Sequence, residues 1–315
     1  MREDGVWRRP LAWLRNRAPG LHGFLTSHER GAAVTREVLG GVMVILLLVT
    51  LLWGTTGQPL TRSPVVVVES ESMMRCDGAL HGQVDPSECQ GPFGRLGTID
   101  AGDLIFVHDV NGRGDVVTFL ECLEAGHRER YGDCGDTIIY RRGGSNAAPP
   151  VIHRAMFWLE IHGNDRYSVP ECDVERVDGA QLASDPCVAR ALTPANRNFI
   201  SSTDGHPCVC DLGPEHSGFI TLGDNNIKVD QPGLTPPVQP EWILGKARGE
   251  LPWLGLIKLW VSDVANGCGP GGVDCHYRQA PGDVKAMMWL TLAVLIGGPV
   301  VLESVLKRRR DFGED

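Results

Sequence analysis

The stretch VVVVESESMMR, residues 65–75, is the one around which the rest of the chain is organised. Its four consecutive valines predict a short strand that is buried on both faces, because β-branched side chains fit a pleated, packed surface. The strand runs into Ser70 and Ser72, which are followed by two methionines. Taken alone, the pattern favours a strand end with capping serines, since Ser is common where an element ends. The alternative is a nucleophilic serine presented at a rigid edge.

Two uncharged apolar segments bracket the middle of the chain, Val38–Trp53 and Ala286–Leu302. Each is near the length that an α-helix needs to cross about 30 Å of hydrocarbon, so we predict transmembrane helices over 38–54 and 286–302. The first segment is also compatible with a cleaved signal peptide, and the second, which glycines and a proline interrupt, with a buried core helix. Basic residues lie on the terminal side of both segments, which predicts a multi-pass cell-membrane protein with cytoplasmic termini and an extracytoplasmic middle.

These segments divide the chain into six parts with different compositions. Besides the two spans, they are a cytoplasmic N-terminal segment (1–37), an exported β domain (65–262) with a cysteine-bearing insertion (164–217), a cysteine-bearing connector (263–285) and a basic cytoplasmic tail (303–315). The chain holds 30 Lys and Arg against 39 Asp and Glu, and it has no stripe of clustered basic residues that would bind nucleic-acid phosphates. Nucleic acid is therefore not an expected partner.

All ten cysteines lie between the two apolar segments. An even number that is confined to an exported region predicts disulfides in an oxidising compartment. Sequence does not fix the pairing, but near neighbours suggest Cys76–Cys89, Cys122–Cys134, Cys172–Cys187 and Cys268–Cys275, with Cys208 and Cys210 left over. The rival interpretation is a metal site, although its spacing matches none of the usual zinc patterns; its members would be His206, Cys208, Cys210 and His216. No cofactor is predicted.

Short apolar stretches between Gly-rich and Pro-rich turns predict a mainly β domain. The predicted strands beyond the valines are Ala101–Val107, Gly114–Phe119, Thr137–Tyr140, Val151–Ile161 and Phe219–Leu222, and Trp242–Gly245 and Leu254–Trp260 complete the apolar pattern. Asn111–Gly112 is a hairpin-turn signal between the first two of these strands. The polar, cysteine-bearing segment 164–217 is interpreted as a disulfide-stapled insertion outside the core.

Residues for hydrolytic chemistry come from three distant segments. Such a site needs a nucleophile, a base, a group that orients the base, and donors for the oxyanion. Ser72 is the candidate nucleophile, and His153 is a suitable base because its unperturbed pKa is about 6.5, although a hydrogen-bonded core histidine is the alternative. The segment ITLGDNNIKVD, 220–230, offers Asp224 and Asp230. Spacing alone does not decide which of them orients the imidazole.

Six segments of the chain resemble, in order and type, those of the type I signal peptidase family: SESMMR, GDLIFV, GDVVTF, VIHRAM, ITLGDNNIKVD and WILGKARGELPWLG. The resemblance is to its archaeal and endoplasmic-reticulum branch, in which a His stands where the bacterial enzymes carry a Lys general base, and it covers roughly Val65–Trp260. It implies a signal-peptidase-like antiparallel β catalytic domain with cysteine-rich insertions, anchored by an N-terminal and a C-terminal transmembrane helix.

The resemblance also implies a role for each candidate residue. Ser72 would be the nucleophile, His153 the general base, Asp230 the residue that orients it, and Asp224 an important supporting residue. Ser70 would offer its hydroxyl to the oxyanion. The chain departs from the family where Glu71 replaces the usual Gly between the two serines and where the Pro that usually follows the nucleophile is missing, which removes a fixed φ angle.

The expected function is that of a membrane-bound serine endopeptidase that cleaves signal peptides from exported preproteins through an acyl-enzyme. The expected partners are signal-peptide-bearing preproteins and the lipid bilayer, with the protein-export translocon as a further candidate. The alternative is a catalytically inactive relative that binds precursors or organises an export complex, which a serine-reactive probe would leave unlabelled. A third class, a disulfide-rich scaffold or redox protein, would function independently of Ser72.

Overall fold

The fold was obtained as a computed structural model, which describes residues 30–74, 96–126, 130–164, 166–192, 216–226, 228–231, 233–268 and 275–311. Helices and strands alternate irregularly along these segments. In chain order they are α1 (Arg30–Thr56), β1 (Val65–Val67), β2 (Leu104–His108), α2 (Phe119–Ala125), β3 (Thr137–Tyr140), β4 (Val151–Ile161), β5 (Tyr167–Val169), β6 (Val174–Val177), α3 (Gly179–Ser184), α4 (Val188–Ala191), β7 (Gly218–Leu222), β8 (Ile243–Leu251), α5 (Leu254–Ala265), α6 (His276–Gln279) and α7 (Gly282–Asp311).

An antiparallel sheet of eight strands organises the domain that follows α1. Its strand order is β1-β2-β8-β3-β4-β5-β6, and β7 pairs with β4 outside this path. The predicted antiparallel sheet is therefore confirmed, and β3 and β4 have the predicted bounds. The centre of β4 is buried on both faces, which explains why its apolar run is nearly continuous and does not alternate.

Two predicted strands differ from the structure. β1 covers three valines that are only partly buried, and Val68 is the first fully buried residue, because one edge of this strand borders an open cleft. The segment Gly114–Phe119 is not a strand: it passes from a 3₁₀ turn into α2, whose first turn Thr118 caps with its side chain. A strong helix cap thus ends the extended run before it can pair, and Asn111–Gly112 does not form a hairpin.

The cysteine-bearing insertion contributes to the core, contrary to the prediction. Apolar side chains of β5, β6, α3 and α4 pack with those of β4 and β7 in one buried cluster, which includes Val169, Leu182, Val188, Phe157 and Ile220. The stapled segment therefore covers one face of the central strands. Its apolar residues are widely spaced among polar ones, so the sequence pattern gave little sign of this packing.

Helices account for about 41% of the residues, more than a mainly β domain suggests. Leu254–Trp260 belongs to a helix, α5, whose Leu256, Leu259 and Asp263 are buried on one side at helical spacing. Leu256 and Leu259 pack against the first turns of α7, where Val284 and Met288 are buried. The start of α7 is thus part of the domain core.

Among the described residues, one helix is long and apolar enough to cross a membrane, over Val34–Thr56. This agrees with the first predicted span, although the helix begins before residue 38. The predicted second span, 286–302, is not supported by the same criterion. α7 carries charges in its first turns and at its C-terminal end, and Val284 and Met288 in its first turns pack against α5.

Three of the predicted disulfides are confirmed: Cys122–Cys134, Cys172–Cys187 and Cys268–Cys275. Each closes a short loop, so local spacing was a good guide to the pairing. Cys76–Cys89 lies outside the described residues, as do Cys208 and Cys210.

Gly135 lies where the Cys122–Cys134 loop packs onto the start of α2. Its φ is +84°, and a Cβ atom there would come within 2.7 Å of the Phe119 nitrogen. We expect Gly135→Ala to lower the free energy of unfolding by about 2 kcal/mol, because it combines a left-handed backbone with a backbone clash. Gly233→Ala is the control, since nothing lies within 4 Å of a Cβ there. Thermal unfolding of the full-length protein in detergent measures both, and equal melting temperatures would contradict this packing.

Candidate active site

Ser72 lies in a turn directly after β1. The Met74 amide donates to the Glu71 carbonyl to close this turn, and Met73 and Met74 are buried beneath it. A second segment holds the turn from the side: the Asn225 amide donates to the Ser72 carbonyl at 2.9 Å, and the Asn225 side chain donates to Glu71 O at 3.2 Å. Ser72 therefore sits on a turn that hydrogen bonds hold from within and from the side.

His153 lies on β4, opposite Ile138 of β3, and is almost fully buried. Its Nε2 atom is 3.0 Å from Ser72 Oγ, and its Nδ1 atom is 2.6 Å from Asp230 Oδ2. An ionised carboxylate only accepts hydrogen bonds, so Asp230 favours the tautomer with a proton on Nδ1. That tautomer leaves Nε2 free to accept the proton of the Ser72 hydroxyl, which is the arrangement of a serine nucleophile with its base.

Asp230 is buried and held by two hydroxyl groups as well as by the imidazole. Tyr140 donates to its Oδ2 atom at 2.7 Å and Thr221 at 2.6 Å, so three donors converge on one oxygen. Burial, reinforced by the nearby charge of Asp230, raises the pKa of the Tyr140 phenol well above its usual value. Tyr140 consequently remains a protonated donor over the physiological pH range.

Ser70 lies beside Ser72, with its Oγ atom 3.2 Å from Ser72 Oγ. If Ser72 attacked a carbonyl carbon, the negative charge would develop on the carbonyl oxygen next to Ser72 Oγ, where the Ser70 hydroxyl is a candidate donor. The Glu71 side chain between the two serines is partly buried.

Asp224 does not contact the imidazole; it binds Arg154, the residue after His153. Its two carboxylate oxygens accept from Nε, at 2.8 Å, and from Nη2 of the guanidinium. Both side chains are almost fully buried. The same guanidinium donates through Nη1 to the carbonyls of Cys134 and Gly135, at 3.1 and 2.9 Å.

Arg154 thus links the Asp224 loop to the disulfide loop that ends at Cys134. Burial alone would lower the pKa of its guanidinium, but the charge of Asp224 and its hydrogen bonds outweigh this effect and raise the pKa. A guanidinium that stays charged while buried keeps its carboxylate partner in place. Because Asn225 follows Asp224 and holds the Ser72 turn, this ion pair acts on the serine from a distance.

Spacing alone had left the two aspartates undecided, whereas the resemblance assigned the orienting role to Asp230; in the structure the two carboxylates have different partners. Asp230 meets the imidazole, whereas Asp224 meets Arg154. Sequence reasoning missed three supporting residues, Tyr140, Thr221 and Gly223. Tyr140 and Thr221 look like ordinary strand residues, and only the register between β3, β4 and β7 brings them to Asp230.

Gly223 lies against the Ser72 turn, the His153 ring and the Asn226 side chain. A Cβ atom there would lie 2.5 Å from the Ser72 carbonyl oxygen and 2.8 Å from His153 Nε2. In the sequence, only its position directly before Asp224, after the last residue of β7, could have identified Gly223 as part of the site. The site therefore requires glycine for space and not for a left-handed backbone.

A cleft of about 540 Å³ opens at Ser72. One wall is the edge of β1, from Val66 to Glu69, and the other is formed by residues 149–153 at the start of β4. Three side chains from the C-terminal part of the domain, Lys258, His276 and Gln279, complete its lining. The cleft is mainly apolar, and its polar lining residues include Ser70, Ser72 and His153.

Metal chemistry has little support in the described part of the chain. The two groups of metal-ligating residue types found there each include both cysteines of a disulfide. Of the proposed His/Cys cluster, only His216 is described, and its ring packs edge-on against Trp242.

No protein-family model matches this chain. A search of curated proteins also finds no match.

The first prediction from this site concerns Gly223. We expect Gly223→Ala to slow phosphonylation of Ser72 by a fluorophosphonate probe about a hundredfold, because a displacement of about 1 Å between Ser72 Oγ and His153 Nε2 has that effect. The Gly233→Ala variant serves again as the control. Labelling of Gly223→Ala at the wild-type rate would show that the close approach of Gly223, Ser72 and His153 is not needed.

The second prediction concerns the buried ion pair. Asp224→Leu leaves the Arg154 charge buried without its partner and should cost about 3–5 kcal/mol of unfolding free energy. The double variant Arg154→Met/Asp224→Leu should recover part of that loss, because no unpaired charge remains. Thermal unfolding of Arg154→Met, Asp224→Leu and the double variant gives the coupling energy. Strictly additive losses would contradict a coupled pair.

Proposed function

We propose that this protein is a membrane-anchored serine endopeptidase of the signal peptidase type, which removes signal peptides from exported preproteins. The observation that carries the proposal is the line of hydrogen bonds from Ser72 through His153 to Asp230. Its members come from three distant segments, and its two distances, 3.0 and 2.6 Å, suit proton transfer from the hydroxyl to the imidazole. The resemblance of the surrounding segments to the type I signal peptidases supplies the substrate class.

The reaction would proceed in two halves. Ser72 Oγ attacks the scissile carbonyl carbon while its proton passes to His153 Nε2, and Asp230 stabilises the resulting imidazolium. The imidazolium then gives the proton to the departing amine, which leaves an ester on Ser72. Water attacks this ester, again with His153 as the base, and releases the carboxylate product and the free serine. The Ser70 hydroxyl donates to the oxyanion in both halves.

The substrate would bind as an extended strand between β1 and β4. Along a strand, successive residues direct their N–H and C=O groups to opposite sides. A residue that bonds the neighbouring strand on one side is therefore followed by a residue whose backbone groups face the other side. The Val68 amide donates to the Asp103 carbonyl, directly before β2, and the Ala155 amide donates to the Asp136 carbonyl, directly before β3. Val67 and Ile152 therefore turn their peptide groups toward the cleft. Backbone pairing would supply affinity, and shallow apolar walls would favour small side chains.

Membrane attachment is supported by α1 and by exposed apolar faces elsewhere. α5 exposes apolar side chains on the side away from the core, namely Leu254, Ile257, Trp260, Val261 and Val264. The middle of α7 exposes Leu290, Val294, Leu295 and Ile296. A helix that is apolar on all sides is expected to meet protein or lipid around its whole circumference. We propose that 286–302 is a second span, with both termini cytoplasmic and the domain on the extracytoplasmic side, where the disulfides form.

The test of this function is cleavage of a purified preprotein by the protein alone in detergent. Ser72→Ala and His153→Ala should each abolish processing, and Asp230→Asn should lower kcat/KM about ten-thousandfold by favouring the wrong tautomer. Ser184→Ala, at an exposed position on α3, is the matched control. Processing by Ser72→Ala at the wild-type rate would overturn the proposal. A wild-type protein that neither cleaves nor reacts with a fluorophosphonate would favour the inactive, precursor-binding alternative.

A further inference from the structure

The charged side chains that line the cleft are not all neutralised. Glu69 and Lys258 form an ion pair with each other, and His276 Nδ1 lies 3.1 Å from the Glu69 carbonyl oxygen. Arg142 also lines the cleft, but no carboxylate among the described residues pairs with it. Its Nε atom is buried without a hydrogen-bonding partner. The cleft therefore holds a cation that lacks a counter-ion.

The pairing of β3 with β4 locates Arg142 relative to the catalytic residues. Ile138 lies opposite His153, and Tyr140 lies opposite Val151, the first residue of β4. Arg142 follows two residues after Tyr140, so it lies beyond the start of β4, at the end of the cleft away from His153. Ile138 and Arg142 are four residues apart in the sequence, which corresponds to roughly 13 Å of extended chain.

The turn that carries Arg142 is fixed on both sides. The Arg141 amide donates to the Trp242 carbonyl at 2.9 Å, and the Gly143 amide donates to Thr235 Oγ1 at 3.1 Å. Burial of Nε shows that packing also holds the inner part of the guanidinium. Because the backbone and the side chain are held before any ligand arrives, little conformational entropy is lost when one binds.

An acidic side chain is the ligand that this position favours. The guanidinium presents paired N–H donors whose geometry matches a carboxylate. Attraction between opposite charges is stronger beside the mainly apolar walls of a cleft than in bulk water. A basic side chain would be repelled at the same place, and an apolar one would leave the cation without a partner.

We infer that Arg142 is a specificity-determining residue, which binds an Asp or Glu side chain of the preprotein about four residues from the bond that Ser72 attacks. This inference rests on the proposed function and adds a charged subsite to a cleft whose other walls are mainly apolar. The direction of the bound strand decides whether the acidic residue precedes or follows the cleaved bond, and the experiment covers both sides.

The experiment moves one glutamate through a preprotein, at the third, fourth and fifth residues on each side of the cleavage site. At each position a second substrate carries glutamine, which has the same shape without the charge. At one of these positions the wild-type protein should cleave the glutamate substrate with a kcat/KM about fivefold higher, as expected for an accessible ion pair. The preference should decrease as salt is added, because salt screens the attraction.

Variants of Arg142 assign the preference to its charge. Arg142→Gln should cleave both substrates at equal rates, and Arg142→Glu should favour a substrate with lysine at the same position. Arg141→Gln is the matched control, because this neighbouring arginine does not line the cleft, and it should retain the wild-type preference.

Two results would overturn the inference and leave the proposed function intact. One is cleavage by the wild-type protein with equal rates for glutamate and glutamine at every position. The other is a preference for glutamate that persists in Arg142→Gln. No cleavage of any substrate by the wild-type protein would instead overturn the proposed function, and this inference with it.

Discussion

The buried ion pair between Arg154 and Asp224 is the interaction on which the rest of the candidate site depends. It joins a central strand, the loop after β7 and the disulfide loop before β3 in a single contact. Neither charge is stable in such surroundings without the other, so the loop that carries Asp224 has little freedom to move away. Asn225, the next residue of that loop, donates its amide hydrogen bond to the Ser72 carbonyl, so the Ser72 turn is held in place as well.

The pleat of β4 explains how two aspartates six residues apart take different roles. Successive side chains of a strand point to opposite faces, so His153 and Arg154 project to different sides. Asp230 meets the first, and Asp224 meets the second. Gly223 allows the loop to approach both, because a side chain there would collide with the imidazole and with the serine turn. The strand pleat and the glycine thus decide which aspartate contacts His153 and which contacts Arg154.

The sequence was informative where local pattern and final environment coincide. β3 and β4 are continuous apolar runs that become central strands, and three disulfides join near neighbours. It was misleading where tertiary contacts overrode the pattern. The Gly114–Phe119 stretch looks like a strand, but Thr118 starts a helix in it. Residues such as Tyr140 and Thr221 reach Asp230 only through strand register, which a single sequence does not reveal.

β1 is short and half-buried, as is expected of a strand at the open edge of a sheet. A long apolar edge strand would pair with other chains and aggregate, and proteins limit this by keeping such edges short or covered. Here the strand has three residues, Ser63 and His276 bond carbonyls on either side of Val67, and Lys258 and Glu69 place charges at one end. The edge of β1 beside the cleft is therefore short, bonded on both sides of Val67 and charged at one end, which are features that limit pairing with other chains.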